Sequence, residues 1–386
     1  MDFALSTEEE AFRREVCEFL DRELTPDVPK ELEQGLGLGL RSWEFLRKMG
    51  ARGWLTPQWP EEYGGLSAPY FYRYIIGEEV SYRGGPHGMV AAHMAGPTIL
   101  MFGSDEQKRE WLPRIARGEV EFALGYTEPE AGSDLANLQI RAVEDGDDYV
   151  MNGQKLFNTA CHYAQYHWLG ARTDTEGPKH KGVSLFIVPL DSPGITIRPL
   201  WEMGGARTNE VFYDNVRVPK KNLVGQKNRG FYHIMTALDF ERIYQVGEIR
   251  RMFERLLRYV KETRHNGGRL AEDPLVRQRV AQLAVELEVA QVLALRVAWM
   301  LNRGEVPNYE AAMIKMYGSE LNQRLAIRAM EIMGLYSQLI EGSKWAELEG
   351  WWEQRYRASI RPLIVRGTSN VQRNIVAMRG LGLPRG

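Results

Sequence analysis

The chain has little cysteine, with only Cys17 and Cys161 in 386 residues. That excludes a disulfide framework and a cysteine-ligated zinc site, and it suits a reducing compartment. It has no excess of charge of one sign, since 49 Lys and Arg stand against 51 Asp and Glu, for a formal net charge of −2. A global basic field for nucleic acid is thereby excluded, although local arginine patches remain able to hold phosphates and other small anions. Long hydrophobic runs are missing too. The most apolar stretch, MVAAHMAGPTILMFG, is interrupted by His93, Gly96 and Pro97 and is too short for a bilayer. The start, MDFALSTEEEAFRREV, has no basic n-region or apolar h-region; Ser6 or Thr7 before a run of Glu marks a helix cap instead. With no fixed-period repeat and no low-complexity tract, the expectation is a cytoplasmic globular protein without a membrane span, a nucleic-acid partner or a metal site.

What is present is 44% hydrophobic and 26% charged residues, a balance that suits two or three packed domains. Up to residue 122 the spacing is helical, as in SWEFLRKMGARGW and SDEQKREWLPRIARG, with PQWPEEYGG and RGGP as breaks. From 123 to 230 the runs YVMNGQKLF, GVSLFIVPL, GITIRPL and EVFYDNVRV are short, partly alternating and divided by Gly, Pro and Asp-Gly signals, which predicts strands. From 231 to 386 long helical patterns return. The candidates are FYHIMTALDFERIYQVGEIRRMFERLLRYVKETR, DPLVRQRVAQLAVELEVAQVLALRVAWML and AAMIKMYGSELNQRLAIRAMEIMG, lengths that suit an antiparallel bundle. The fold class is α+β: an N-terminal all-α domain (1–122), a middle β domain (123–230) and a C-terminal four-helix-bundle domain (231–386).

Several segments carry chemistry. YTEPEAGSD, residues 126–134, stands where the helical and β parts meet, and its Gly132-Ser133 turn offers backbone N–H groups to an anion. FNT, residues 157–159, follows a strand pattern that would put Phe157 and Thr159 on one face. Near the end, LIVRGTSNVQRN sets Arg366 directly after an apolar run, where a cation is costly to bury. Together with FGSDEQKREWLPRIARGE, NGQKLFNTA, DNVRVP and the terminal GTSNVQRNIVAMRGLGLPRG, these motifs in this order resemble the acyl-CoA dehydrogenase family over essentially the whole chain.

The resemblance implies FAD as cofactor, a coenzyme A thioester as substrate, an electron-transfer flavoprotein as oxidant, a place in fatty-acid β-oxidation, and a homotetramer built as a dimer of dimers. It assigns Tyr126, Thr127, Gly132 and Ser133 to the loop that holds the flavin ring and the thioester end of the substrate. Phe157 packs by that ring and Thr159 bonds near its reactive nitrogen. Thr368 and Asn370 meet FAD across a subunit boundary, and Arg264 lies near the pyrophosphate. Two departures touch the adenosine half: RHNGG replaces the usual Arg-x-x-Phe-Gly, and EIMGLYS, with Glu331 and Leu335, replaces Gln-x-x-Gly-Gly-x-Gly. A partner chain in a hetero-oligomer could complete that half.

The family chemistry needs a desolvated carboxylate to take an α-proton, and many members place a Glu just before Gly-Thr. Here that position is Arg366, which stays protonated and cannot be a base, though its backbone N–H and Gly367 remain able to meet the thioester carbonyl. Treating the segment after Gly230 as one helix of about 100° per residue, Ile234, Leu238, Val246 and Ile249 share an apolar stripe, with Glu241 about 60° from Leu238. LDFER resembles the variant, as in isovaleryl-CoA dehydrogenase, whose base sits there. Glu241 is then the base, and Asp239 and Arg242 match positions that touch coenzyme A. Arg366 either pairs with Glu241, which would lower the carboxylate's pKa, or contacts substrate. Two other roles remain open: a subunit that holds FAD or substrate without turnover, and a different flavin reaction on the same scaffold.

Overall fold

A computed structural model describes residues 3–87, 89–240, 244–265 and 267–384, with the backbone alone for 236–240 and 265. The N-terminal part contains α1 (Thr7–Glu23), α2 (Asp27–Glu33), α3 (Leu40–Gly50), α4 (Tyr70–Tyr82), α5 (Gly96–Phe102) and α6 (Asp105–Ala116). Caps set two of the starts. Ser6 and Ser104 each accept the backbone N–H three residues on while Glu9 and Gln107 reach back, closing capping boxes on α1 and α6. α4 is buried nearly all round and takes Arg73, Glu78 and Glu79 into the interior with it. Glu79 is held there by Arg13 at 2.8 Å and Arg83 at 2.7 Å; interior charge is tolerated only with such partners.

The middle part is one eight-stranded sheet: β1 (Phe122–Gly125), β2 (Arg141–Asp145), β3 (Asp148–Lys155), β4 (Tyr166–Arg172), β5 (Val183–Pro189), β6 (Ile195–Trp201), β7 (Arg207–Pro219) and β8 (Leu223–Val224). Its order is β6-β7-β3-β2-β4-β5-β8, with β1 parallel to β4. β4 and β5 are buried along almost their whole length, which explains why VSLFIV carries apolar residues at nearly every position.

The C-terminal part contains α7 (Gly230–Phe240), α8 (Gly247–Glu262), a hairpin of β9 (Arg264–His265) and β10 (Gly268–Arg269), α9 (Pro274–Asn302), α10 (Tyr309–Met333), α11 (Trp351–Ala358), α12 (Arg361–Ile364) and α13 (Ser369–Ile375). The single helix expected after Gly230 is therefore two, and the stripe that joined Leu238 to Val246 and Ile249 by helical counting does not exist as such. The cause is tertiary. Val246 donates its backbone N–H to Glu78 Oε1 at 2.5 Å, so this amide is taken by α4 just before α8 begins. Gly247 follows against the Glu78 carbonyl, where an added Cβ would lie at 2.3 Å.

Between α4 and α5, residues Ala91–Ala95 form a π-helical turn that carries His93. Glu121, almost fully buried, anchors it by accepting N–H groups from Ala91 at 2.7 Å and Phe122 at 2.8 Å. Burial pushes the Glu121 carboxyl up to about 7, above an unfolded value of about 4.3, so the folded state holds this proton more tightly. That stabilisation is complete below the unfolded value and is lost as pH rises through the folded one. Glu121→Gln keeps an acceptor without the charge, so its melting temperature relative to the parent should climb between about pH 5 and pH 8. A difference that stays flat across that range would show that Glu121 does not titrate as described.

Candidate active site

On the sheet side, a buried ion pair fixes the 126–128 loop. Lys155 at the end of β3 donates to Glu128 at 2.8 Å and to the Tyr126 carbonyl at 3.1 Å. Glu128 also accepts the Ile140 N–H at 3.0 Å and the Gln139 N–H. Lys155 is fully buried, and its ammonium is lowered to about 8 by that burial, against the pull of Glu128. Alternation along β3 puts Tyr149, Met151 and Lys155 inward, so period-two counting would have found this lysine.

The chain then leaves the strand. Leu156 donates to the Thr127 carbonyl at 2.9 Å, Asn158 Nδ2 to the Leu124 carbonyl at 2.8 Å, and Asn209 Nδ2 to the Asn158 carbonyl at 2.7 Å. Phe157 and Thr159 are accordingly set by a pinned turn and not by strand alternation. Phe157 has φ of 58° and is 57% exposed. A left-handed aromatic displayed at the surface is a costly feature for a lone chain. Gly132 and Ser133 are also exposed, and a Cβ on Gly132 would meet no protein atom within 4 Å. Packing alone does not require glycine there, whereas close approach of a flat ring or a phosphate does. These features fit a flavin.

On the helical side, the LIVR run is not core. Ile364 and Val365 are 59% and 40% exposed, and Arg366 is exposed with them, at φ of 58°. The turn is held by its carbonyls: Lys315 Nζ donates to Gly367 at 2.6 Å and Gln372 Nε2 to Arg366 at 3.0 Å. Thr368 caps α13 by accepting the Val371 N–H, and Asn370 stands exposed in the first turn. Burial lowers Lys315 to about 8, and the Arg366 charge pushes the same way. The same charge reaches His93, held neutral first by burial and then by Arg73 and Arg366. Lys315 is thus tied to the Arg366 turn.

α12 joins the two sides. Arg361 Nη2 donates to Thr159 Oγ1 at 3.1 Å, and its Nε lies 3.3 Å from Glu202. Nothing in the sequence singles out Arg361 or Glu202. Asp239 lies near the end of α7, while Glu241 and Arg242 fall outside the described residues. Arg264 is exposed on the hairpin after α8. In the altered EIMGLYS loop, Glu331 pairs with Arg328 at 2.6 Å, and Leu335 and Tyr336 are 81% and 56% exposed.

Two spaces adjoin this site. A small cavity of about 40 Å³ is walled by Met49, Trp54, Ile76, Met89, His93 and Gln245. A cleft of about 420 Å³ runs from Arg361 and Tyr163 towards α8 and α11, and both spaces are bounded by Pro86 and His87. Among the described residues there is no group of three or more metal-ligating side chains, and no helix is long and apolar enough to cross a membrane.

Residues 6–119, 123–216 and 228–381 match the N-terminal, middle and C-terminal domains of acyl-CoA dehydrogenase, respectively. The chain is similar to acyl-CoA dehydrogenase FadE26 of Mycobacterium tuberculosis, with 36% identity across 100% of this chain and 99% of that one. Its fold is similar to that of the Tcur3481-Tcur3483 steroid ACAD, with a TM-score of 0.92, 35% identity and 100% of both chains covered. It is also similar to the ChsE4-ChsE5 complex from Mycobacterium tuberculosis, with a TM-score of 0.91, 35% identity and again 100% of both chains covered. The chain therefore belongs to the acyl-CoA dehydrogenase family, flavin-dependent oxidoreductases that act on acyl-CoA thioesters.

Proposed function

We propose that the chain dehydrogenates a bulky acyl-CoA at its α,β-carbons to the trans-2-enoyl-CoA, using FAD, with Glu241 as the base. The observation that supports this reading is the bond between Arg361 Nη2 and Thr159 Oγ1, which ties α12, just before Arg366, to the turn that displays Phe157. FAD supplies the hydride acceptor when bound. Tyr126, Thr127, Gly132, Ser133, Phe157 and Thr159 hold its ring, Thr368 and Asn370 meet it across a subunit boundary, and Arg264 lies near its pyrophosphate. Ser133, Asp239, Arg242 and Gly367 orient the thioester, and Glu241 takes the α-proton while Arg366 shapes the field around it. Domain limits stand near 122 and 230, at the two ends of the sheet part.

The assembly is a tetramer with a second, related chain. Exposed Val285, Val289 and Val292 form an apolar stripe at helical spacing on α9, and exposed Leu335 and Tyr336 stand on the altered loop, so both surfaces suit burial against another subunit. The two similar structures named above pair two different proteins, and one is called a steroid ACAD, which favours a fused-ring acyl group over a simple β-oxidation substrate. The oxidant is an electron-transfer flavoprotein. A reducing, cytoplasmic setting suits the free thiols of Cys17 and Cys161. Native mass of the purified assembly tests its composition, and a single chain type in a stable tetramer would overturn it.

Three variants test the site. Phe157→Ala removes an aromatic contact worth about 0.5–1.5 kcal/mol beyond its area, so FAD should dissociate roughly tenfold more readily; unchanged flavin content would leave Phe157 without a cofactor role. Glu241→Gln keeps size and hydrogen bonding without a proton acceptor. Flavin should stay bound while acyl-CoA bleaches it about 10²–10⁴-fold more slowly, and bleaching at the parent rate would remove Glu241 as the base. Arg366→Ala takes a cation away from the base, so the Glu241 pKa should rise and the acid limb of the rate profile should move to higher pH. A limb that does not move would place Arg366 away from Glu241.

A further inference from the structure

Thr159 receives a guanidinium that the removal of two hydrogens from an acyl group does not by itself require. α12 brings it there. That helix, Arg361–Ile364, follows α11 after Ser359 and Ile360, so Arg361 stands where the end of α11 is fixed against the sheet. The turn between β6 and β7 does the fixing: Arg357 donates to the Met203 carbonyl and Gln354 Nε2 to the Gly204 carbonyl at 3.4 Å. A Cβ on Gly204 would lie 2.6 Å from the Ala358 Cα, so two backbones meet where only glycine fits. Glu202 opens the same turn, its N–H bonded to the Ala206 carbonyl at 2.9 Å, and thereby arrives beside Arg361. One guanidinium spans the two partners, with Nε 3.3 Å from Glu202 and Nη2 3.1 Å from Thr159 Oγ1.

The contact with Thr159 has a direction. A guanidinium only donates, so the hydroxyl oxygen accepts from Arg361 and its own proton is left for another acceptor. A hydroxyl that accepts from a cation is a stronger donor onward. The backbone beneath it is fixed as well, since Asn209 Nδ2 donates to the Asn158 carbonyl at 2.7 Å. Burial raises the Glu202 carboxyl above its ordinary value, against the pull of Arg361, as expected where water reaches a carboxylate poorly. The cation thus touches the hydroxyl, and the carboxylate touches the cation.

We propose that Arg361 is a positioning residue for the flavin that acts through Thr159, turning the hydroxyl proton towards the ring and favouring the reduced ring by its charge, while Glu202 sets how much of that charge is felt. The proposal rests on the reading above that Thr159 meets the ring. A hydride moved from the β-carbon carries its electron pair to a neutral ring, which gains one negative charge. A cation one hydroxyl away stabilises the end of that transfer more than its start, and a carboxylate behind the cation subtracts from the same field. Both side chains are only half-buried, so solvent keeps the effect moderate. A plain dock between α12 and the sheet would need both members alike, whereas a field sets them in opposition.

The experiment reads the reduction potential of the bound flavin in the FAD-loaded assembly, by anaerobic reduction against a reference dye with no acyl-CoA present. Relative to the parent, Arg361→Gln should move the flavin–dye equilibrium about tenfold towards oxidised flavin, about 30 mV to lower potential for a two-electron couple. Glu202→Gln should move it the other way. Arg361→Lys keeps the charge and should stay closer to the parent than Arg361→Gln does. Shifts of the same sign in Arg361→Gln and Glu202→Gln, or no shift in either, overturn the proposal and leave the pair as a dock. Should Arg361→Gln not retain flavin, Glu202→Gln decides alone, and a potential that falls or stays at the parent value is the overturning result. Flavin content of the parent is measured first: an assembly that holds no FAD defeats the flavin reading and this proposal with it, whereas bound FAD without opposed shifts defeats this proposal only.

Discussion

A buried carboxylate on α4 takes the backbone amide of Val246, and the arrangement of the catalytic half follows from that bond. Glu78 is 8% exposed, with burial raising its carboxyl to about 7, so its acceptor oxygens have little water to turn to. A hydrogen bond to a charged group contributes about 1.5–3 kcal/mol, and leaving either partner unmet costs a similar amount. The chain pays with a helix: the turn that would have fused α7 to α8 is given up. Three close approaches show how tightly the interruption is seated. A Cβ on Gly77 would lie 2.9 Å from the Gln245 amide, one on Gly247 2.3 Å from the Glu78 carbonyl, and one on Gly318 2.5 Å from the Tyr244 ring. α4, α8 and α10 therefore meet at residues 244–247, which directly follow the segment that carries Glu241.

The sheet half is organised by the same physics with the charges reversed. Lys155, fully buried, is matched by Glu128 and the Tyr126 carbonyl, and through them the loop from Tyr126 to Glu128 is tied to the end of β3. Removing one member of such a pair typically costs about 3–5 kcal/mol, because the other is left charged in a dry place. Glu78 and Lys155 thus each spend a buried charge on backbone groups beside the site. Both act on main-chain geometry beside the site.

The sequence made the layers legible because each has its own period. Strand runs were visible from alternation and Asp-Gly turns, α1 from its cap and α6 from its helical spacing. The break before α8 was not visible. Counted at 3.6 residues per turn, residues 230–263 look continuous, and the acceptor that interrupts them sits on α4, 168 positions away. Arg361 and Glu202 were missed for the same reason, since the contact with Thr159 spans 202 positions and carries no local signature. The LIVR run misled in another way: apolar composition suggested core, but three of its four residues are exposed in the single chain. Composition reports what a segment can bury against, not whether the partner belongs to its own chain.

The arginine in place of the usual glutamate changes the site by electrostatics as well as by loss of a base. Moving a proton from the α-carbon to a carboxylate shifts negative charge from the carboxylate to the thioester oxygen. A cation equally distant from both leaves that transfer unchanged, because it stabilises the start and the end alike. A cation nearer the oxygen favours it: at an effective dielectric of about 20, unit charges about 4 Å apart attract by about 2 kcal/mol more than at about 8 Å. That difference is roughly thirtyfold in rate if fully expressed in the transition state. Arg366 stands in a turn with Gly367 whose carbonyl Lys315 holds, and its charge helps keep both Lys315 and His93 from gaining a proton. Were Glu241 the base, as proposed above, such a field would weaken the carboxylate as a base and stabilise the enolate at the same time. The second effect prevails only if the thioester carbonyl lies closer to the Arg366 turn than the carboxylate does. On the proposed assignment, that condition would tie the base to the substituted turn: a carboxylate away from Gly367 would leave the turn free to be cationic, and a cationic turn would favour a base that approaches from elsewhere.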